Sequence, residues 1–390
     1  YVCFLNNDTE VLPLWLSALV DSFELHPGLG LAGSQLIYPD GRLQEAGGIV
    51  WNDFSGWNWG RLQDPESPRF TYARQADYCS GAAILLPRAL ALAIGGFDPE
   101  FAPAYGEDSD MAFRLRAMGL ATLYQPLSRV VHYEGITSGI DTRTGVKAYQ
   151  VVNAEKLKQR WAHVLPHQGA NGENPDSAVE RGRIGRVLVI DQITPETDKD
   201  AGSITALELM LALRNLGYKV AFVPCSNFTY IPDYTDVLGA LGIESVLFPW
   251  TRSVEDHLKQ VGDVYDAVVI FRVNTAFETI DAIRKGAPRA KVIFHNSDLH
   301  FVREERAQAV DNPNVAERGL SAPATKGREL SVIAGSDVTI VHSHFEKALL
   351  AEYVPAVPVV VFPWVYEPRG AGAPWSERRD VVFLGGYRHY

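Results

Sequence analysis

The chain opens Tyr1-Val2-Cys3-Phe4-Leu5-Asn6-Asn7-Asp8-Thr9. A short apolar run that breaks into a polar turn predicts a buried strand delivering a carboxylate to its C-terminal end, where α/β sheets meet their ligands. Asp8 then has two readings. It can hold a divalent cation that bridges two phosphates. It can equally cap the helix that follows, on which Leu12, Leu16, Leu19 and Phe23 fall at helical spacing.

Working outward, Pro27-Gly28 stops that helix. Gly28-Leu29-Gly30-Leu31-Ala32-Gly33 is a literal GxGxxG, but a dinucleotide fingerprint needs a strand before it and a helix after it. Here the order is reversed, so the glycines read as a helix stop and a turn, and a dehydrogenase is excluded. An aromatic loop spans Trp51 to Trp59, and Ala82–Leu86 reads as a buried strand. Gly106-Glu107-Asp108-Ser109-Asp110 precedes a helix carrying Met111, Leu115 and Met118. Acidic residues in a first turn suit the helix dipole. Three carboxylates this close should also repel one another and raise a pKa, as a general base requires. Ala121–Tyr124 and Arg129–His132 read as two short strands. His132 is either a structural histidine or an imidazole ligand to the cation at Asp8, which would favour Mn2+ over Mg2+. Residues 146–164 read as an amphipathic helix.

Composition narrows the classes. The 390 residues predict two or three domains, and 46% hydrophobic with 21% charged residues excludes disorder and coiled coil. The net charge of −11 is spread over both halves, so no basic stripe offers itself to nucleic acid. Three distant cysteines, Cys3, Cys79 and Cys225, fit a reducing compartment and no structural zinc. No apolar run approaches the ~20 residues of a membrane span.

Residues 166–186, rich in Gly, Asn, Pro, Asp and Arg, read as a linker. Beyond them strands and helices alternate. The expected strands are Val187–Asp191, Lys219–Val223, Ser245–Phe248, Ala267–Phe271, Lys291–His295, Val338–His342, Val357–Phe362 and Asp380–Leu384. Repeated βα units imply a doubly wound parallel sheet. Gly202-Ser203 at a helix start could present backbone N–H groups to a phosphate or form a plain βα turn.

Taken together, Asn6-Asn7-Asp8-Thr9, Ser80-Gly81-Ala82, Gly95-Gly96-Phe97-Asp98, Glu107-Asp108-Ser109-Asp110 and His132 resemble the family 2 glycosyltransferase pattern on a GT-A fold, over residues 1–165. The resemblance implies an inverting, metal-assisted transfer from a nucleotide-sugar to a glycan or lipid-linked acceptor, in bacterial surface polysaccharide assembly. Asp8 would be the metal-binding end of a DxD-like motif whose first position is Asn6, and His132 its protein-side partner, with Mn2+ or Mg2+ as cofactor. Asp108 would be the base, with Glu107 its rival. Tyr78, Ser80, Gly81, Asp110, Trp57 and Trp59 would face the acceptor, although core packing is the expectation for at least one of the tryptophans.

Residues 187–378 resemble the N-terminal Rossmann-like domain of a family 4 type GT-B glycosyltransferase, with Gly202, Ser203 and His300 toward its cleft. Val382 to Arg388 would begin the next domain, in residues 379–390. The resemblance further implies that the GT-A domain's opening strands precede Tyr1. A cytoplasmic enzyme is expected, at the inner face of the membrane if its acceptor is lipid-linked. A carbohydrate-binding or scaffolding protein with degenerate sites is the alternative from a different class.

Overall fold

The computed structural model describes residues 1–133, 148–309, 322–363, 370 and 372–380. The expected strand beyond Asp380, the stretch from Glu134 to Gly139 and residues 146–147 of the expected helix lie outside them. The chain divides into two compact units, residues 1–189 with 193–253, and residues 190–192 with 254–390.

The first unit opens with β1 (Val2–Leu5), β2 (Thr9–Val11) and α1 (Trp15–Leu25), then β3 (Leu29–Ile37). The short strands β4 (Leu43–Glu45), β5 (Gly48–Val50), β6 (Gly56–Asn58) and β7 (Arg74–Gln75) follow, then β8 (Ala83–Leu86) and α2 (Arg88–Ala93). The first sheet is completed around α3 (Glu107–Ala117) by β9 (Ala121–His132), after which come α4 (Ala148–Arg160) and the short α5 (Pro175–Ala178). Its order is β1-β8-β3-β9-β2, with β4 on β3 and β7 on β9. β3 is buried along its whole length, as a central strand with both faces covered must be. One face packs α1 through Leu19 against Leu29, Ala32 and Leu85. The other holds Leu31, Ile84, Met111 and Leu115. Gly33 is required there, since a Cβ would stand 2.2 Å from the Cβ of Cys79.

Several expectations need correction. β1 is an edge strand and only half-buried. The two short strands at 121–124 and 129–132 are one strand, β9, which absorbs Pro126 in a register shift opposite Ser34 and Gln35. The fingerprint glycines divide as well: Gly28 turns at φ +82° after α1, whereas Gly30 and Gly33 lie inside β3. The aromatic loop is a hairpin of β5 and β6, with Ile49 opposite Trp57. Residues 166–186 are no free tether. Arg181 Nη1 pairs with Asp77 at 2.6 Å, Glu180 Oε1 accepts from Tyr72 at 2.5 Å, and Gly185 already starts the next strand.

The second sheet is built from β10 (Gly185–Asp191), β11 (Tyr218–Pro224), β12 (Glu244–Ser245), β13 (Ala267–Phe271), β14 (Lys291–His295), β15 (Val338–Val341) and β16 (Val359–Val361). Between them run α6 (Ala201–Asn215), α7 (Pro232–Ala240), α8 (Val254–Val261), α9 (Val273–Gly286), α10 (His300–Ala309), α11 (Ala322–Gly335) and α12 (His344–Tyr353). The order β12-β11-β10-β13-β14-β15-β16 reverses direction between β10 and β13. Parallel pairing joins β11 to β12 and runs from β13 to β16. This is the expected doubly wound sheet, with its switch point at the end of β10. No helix among the described residues is long and apolar enough to cross a membrane.

Candidate functional site

The end of β9 brings Asp8 and His132 together. β2 pairs antiparallel with β9, Thr9 opposite His132, and Tyr133 N–H donates to Asp8 O at 2.9 Å. His132 Nε2 then lies 3.5 Å from Asp8 Oδ1 and 3.4 Å from Asn6 Nδ2. On its other side, Nδ1 donates to Gln44 Oε1 at 3.0 Å. The Gln44 contact at Nδ1 turns Nε2 toward Asp8 and the Asn6 amide, the orientation that an outer partner gives a metal-binding imidazole. The capping reading of Asp8 fails, because α1 starts at Trp15 with Leu14 at its cap position.

These donors fit a divalent cation that shares its shell with substrate oxygens. Among the described residues no group of three or more His, Cys, Asp or Glu side chains is placed to hold a metal. One carboxylate and one imidazole, completed by phosphate and water, is the mixed donor set of a phosphate-bridging ion.

The carboxylates at the start of α3 form the second part. Asn6 N–H donates to Ala82 O at 2.9 Å, which ties the polar turn after β1 to the residue following Gly81. Gly81 N–H donates to Asp108 Oδ2 at 3.1 Å, and Ser109 N–H donates to Oδ1 at 2.6 Å. Burial raises the Asp108 pKa against the pull of these two donors. Burial, and after it the Asp108 charge, push Glu107 up to about 7. Its Oε2 is buried with no hydrogen-bond partner among the described residues. Desolvation thus outranks the charge repulsion that the sequence suggested.

A third carboxylate joins them that the sequence reading missed. Glu45 is buried on β4 and accepts from Ser80 N–H at 2.8 Å, and burial pushes it to about 8. Nothing near Glu45 or Gln44 in sequence marks them. Their place in β4, adjacent to β3, is what brings them in.

Other candidates separate by exposure. Trp57 is 40% exposed and meets Trp51 edge-on at 5.3 Å. Trp59 is core, packed edge-on against Phe70 with the Arg69 guanidinium over its ring. Tyr78 does not face an acceptor: its ring fills the space beside Gly48, where a Cβ would stand 1.9 Å away, and its hydroxyl donates to Asn58 Oδ1 at 3.0 Å. Asp110 is fully buried and held by Arg114 at 2.7 Å, Arg160 at 3.0 Å and the Trp161 indole N–H at 3.0 Å. It ties α3 to α4 and has no oxygen to spare for an acceptor. Ser80 and Gly81 remain half-buried beside Asp108.

In the first unit, Gly202 and Ser203 are in the first turn of α6. Asp200 caps that helix, accepting from Ser203 N–H at 3.0 Å and from its hydroxyl at 2.7 Å. The cap occupies the amide that a phosphate would need. In the second unit, His300 Nδ1 lies 3.2 Å from buried Glu329 and Nε2 lies 3.3 Å from Asp298. The sheet's C-terminal edge also holds a group that sequence reasoning missed. His295 is fully buried, stacked on Phe271 at 4.4 Å, and neither ring nitrogen has a partner among the described residues. Burial, then the neighbouring His342, lower its pKa to about 4. Asn296 beside it is buried, its amide without a partner among the described residues, and Arg272 pairs with Asp191 at 2.8 Å.

No family model matches the chain. It is 34% identical over 146 residues to the O-antigen biosynthesis protein RfbC of Myxococcus xanthus, covering 35% of this chain and 11% of RfbC. It shares sequence with proteins of glycan assembly. A putative polypeptide N-acetylgalactosaminyltransferase 13 of Drosophila melanogaster is 27% identical over 139 residues, 34% of this chain and 25% of that protein. The chain therefore spans a quarter or less of the curated relatives it matches here. Among solved structures, GalNAc-T7 with UDP, GalNAc and Mn2+ superposes with a TM-score of 0.33 at 16% identity, over 42% of this chain and 33% of that one. That likeness is too weak to carry an argument.

Proposed function

We propose that residues 1–165 are the catalytic part of a GT-A glycosyltransferase of family 2 type, which moves a sugar from a nucleotide-sugar to a hydroxyl of a glycan or lipid-linked acceptor, with inversion. Bacterial surface polysaccharide is the product class that similarity to an O-antigen biosynthesis protein favours. The observation that carries the reading is the pairing of Asp8 with a His132 whose Nε2 faces it while Nδ1 is held by Gln44. It is joined through Asn6 and Ala82 to the amide that holds Asp108.

In this mechanism Asp108 accepts the acceptor's hydroxyl proton. The freed oxygen bonds the anomeric carbon from the face opposite the diphosphate, and the old glycosidic bond breaks with its electron pair leaving on phosphate. The Gly81 and Ser109 amides fix the orientation of the Asp108 carboxylate for that proton. A divalent ion, Mn2+ or Mg2+, would be held by Asp8 and His132 and would supply charge neutralisation for the departing diphosphate. Trp57, exposed and apolar, offers a ring face to an acceptor sugar. Residues 187–378 are read as a GT-B N-terminal domain that binds an acceptor, with His300 toward its cleft. Its doubly wound sheet supports that reading.

The test is release of nucleoside diphosphate from a panel of nucleotide-sugars with Mn2+ and a polysaccharide acceptor fraction. Asp108→Asn is expected to slow turnover by about 10²–10⁴-fold with donor binding retained. Near-normal turnover in that variant would remove Asp108 from the role. Wild-type protein that binds glycan but turns over no donor would favour the carbohydrate-binding alternative.

A further inference from the structure

A cavity of about 390 Å³ opens in the first unit, at the start of β3 and β9. Its wall includes the side chains of His26, Arg74, Arg181, Arg183 and Arg214, and among the described residues no carboxylate lines it. Four guanidiniums around one small space are costly unless something negative compensates them.

The protein compensates them only in part. Arg181 pairs with Asp77 through Nη1 at 2.6 Å, but the same carboxylate also serves Arg116 at 3.1 Å. Arg181 Nη2 is buried without a partner among the described residues, and so is Arg74 Nε on a side chain only 3% exposed. Arg74 also feels Glu45 and Glu180, yet Glu180 is taken by Lys219 at 2.9 Å and by Tyr72. Among the described residues Arg214 has only neutral partners, Leu241 O at 2.5 Å and the Asn215 amide oxygen at 3.0 Å. Among the described residues Arg183 makes no side-chain hydrogen bond or ion pair. Burial, then repulsion from Arg183, depress the pKa of Arg214, and desolvation, with both guanidiniums, opposes protonation of the half-buried His26.

We propose that this cavity binds a small phosphate-bearing anion, a diphosphate or a sugar or nucleoside phosphate, through Arg74, Arg181, Arg183 and Arg214. Guanidiniums match phosphate oxygens in bidentate geometry, and the volume falls in the range of small-molecule sites. The site is distinct from the one around Asp8. Ala121 and Leu123 at the start of β9 line the cavity, while His132 ends the same strand; Leu123 and Val131 pair with Ala32 and Ile37 of β3, which puts His132 roughly 20 Å from Leu123 at about 3.3 Å per residue.

Calorimetric titration of the chain with inorganic diphosphate at low salt tests this. Binding is expected, weakening steeply as salt rises. The double variant Arg183→Gln/Arg214→Gln should bind about tenfold or more weakly. Arg183→Gln alone removes no side-chain hydrogen bond or ion pair among the described residues, should leave the ligand-free melting temperature unchanged, and decides the matter if the double variant fails to fold. Vesicles containing phosphatidylglycerol separate the sources. Sedimentation with them, competed by diphosphate, assigns a lipid-borne phosphate; diphosphate binding without sedimentation assigns a soluble one. Absence of diphosphate binding, or equal binding by wild type and Arg183→Gln, would overturn the proposal.

Discussion

Gln44 and Glu45 show what single residues contribute and why neither was legible in the sequence. Asp8 stands in a recognisable turn, Asp108 in the first turn of a helix and His132 at a strand end, so their chemistry can be read from neighbours. Gln44 and Glu45 belong to a three-residue strand whose letters carry no pattern, and only pairing with β3 brings them in. Gln44→Leu should release His132 Nδ1 and weaken Mn2+ binding in the presence of a nucleoside diphosphate by about 10–100-fold, read by titration calorimetry. Glu45 makes a pH prediction. Its folded-state pKa of about 8 stands above the ordinary value of 4.5, so between those pH values the native chain holds a proton that the unfolded chain releases. Stability must therefore fall as pH rises through that window, by an amount on the order of a few kcal/mol. Glu45→Gln keeps an acceptor for Ser80 N–H and should flatten the fall. Melting temperatures from pH 5 to 8.5 would show it, and an equal slope in both proteins would contradict the protonated Glu45.

At the scale of elements, α3 is the piece on which the site depends. Gly106 precedes it at φ +93°, and a Cβ there would stand 2.4 Å from Leu157 Cδ1. Gly106→Ala combines left-handed backbone strain with a collision against α4, and is expected to cost about 1–3 kcal/mol in urea unfolding. Turnover should fall further than that loss accounts for, because the first turn carries Glu107 and Asp108. Asp110→Ala removes the buried anion beneath Arg114 and Arg160; Arg160 keeps Asp98 and Glu100, whereas Arg114 is left with the carbonyls of Ile94 and Gly96. A loss of about 3–5 kcal/mol is expected, visible as a drop in the urea midpoint. The helices were readable from their 3.6 period. β9 was not, because Pro126 reads as a breaker until the register shift opposite Ser34 accommodates it. The β5–β6 hairpin was hidden by tryptophans whose bulk suggested a binding loop, although Trp51 and Trp59 are core.

Across the molecule, alternation of strand and helix was enough to give the doubly wound sheet, and the composition change marked residues 166–186. It could not show that this segment is packed, since Gly, Asn and Pro describe backbone freedom and not the partners of Glu180 and Arg181. Lys219 holds Glu180 at 2.9 Å and Glu244 at 3.0 Å and donates to the Tyr72 hydroxyl. It thus joins β11, β12 and the supposed linker to the first sheet's periphery inside one unit. Lys219→Met should destabilise that unit by about 3–5 kcal/mol. Hydrogen exchange should then quicken in β7 and β11 together, and faster exchange confined to β11 would argue against a shared unfolding unit. β9 has a further consequence for the whole. It reaches from the arginine-lined cavity to His132, with slack only at Pro126 to Ser128. Side chains alternate along a strand, so one residue added between Arg129 and His132 would turn the imidazole to the opposite face. One residue added within the slack would leave both ends in place. The strand is a ruler with a single expansion joint.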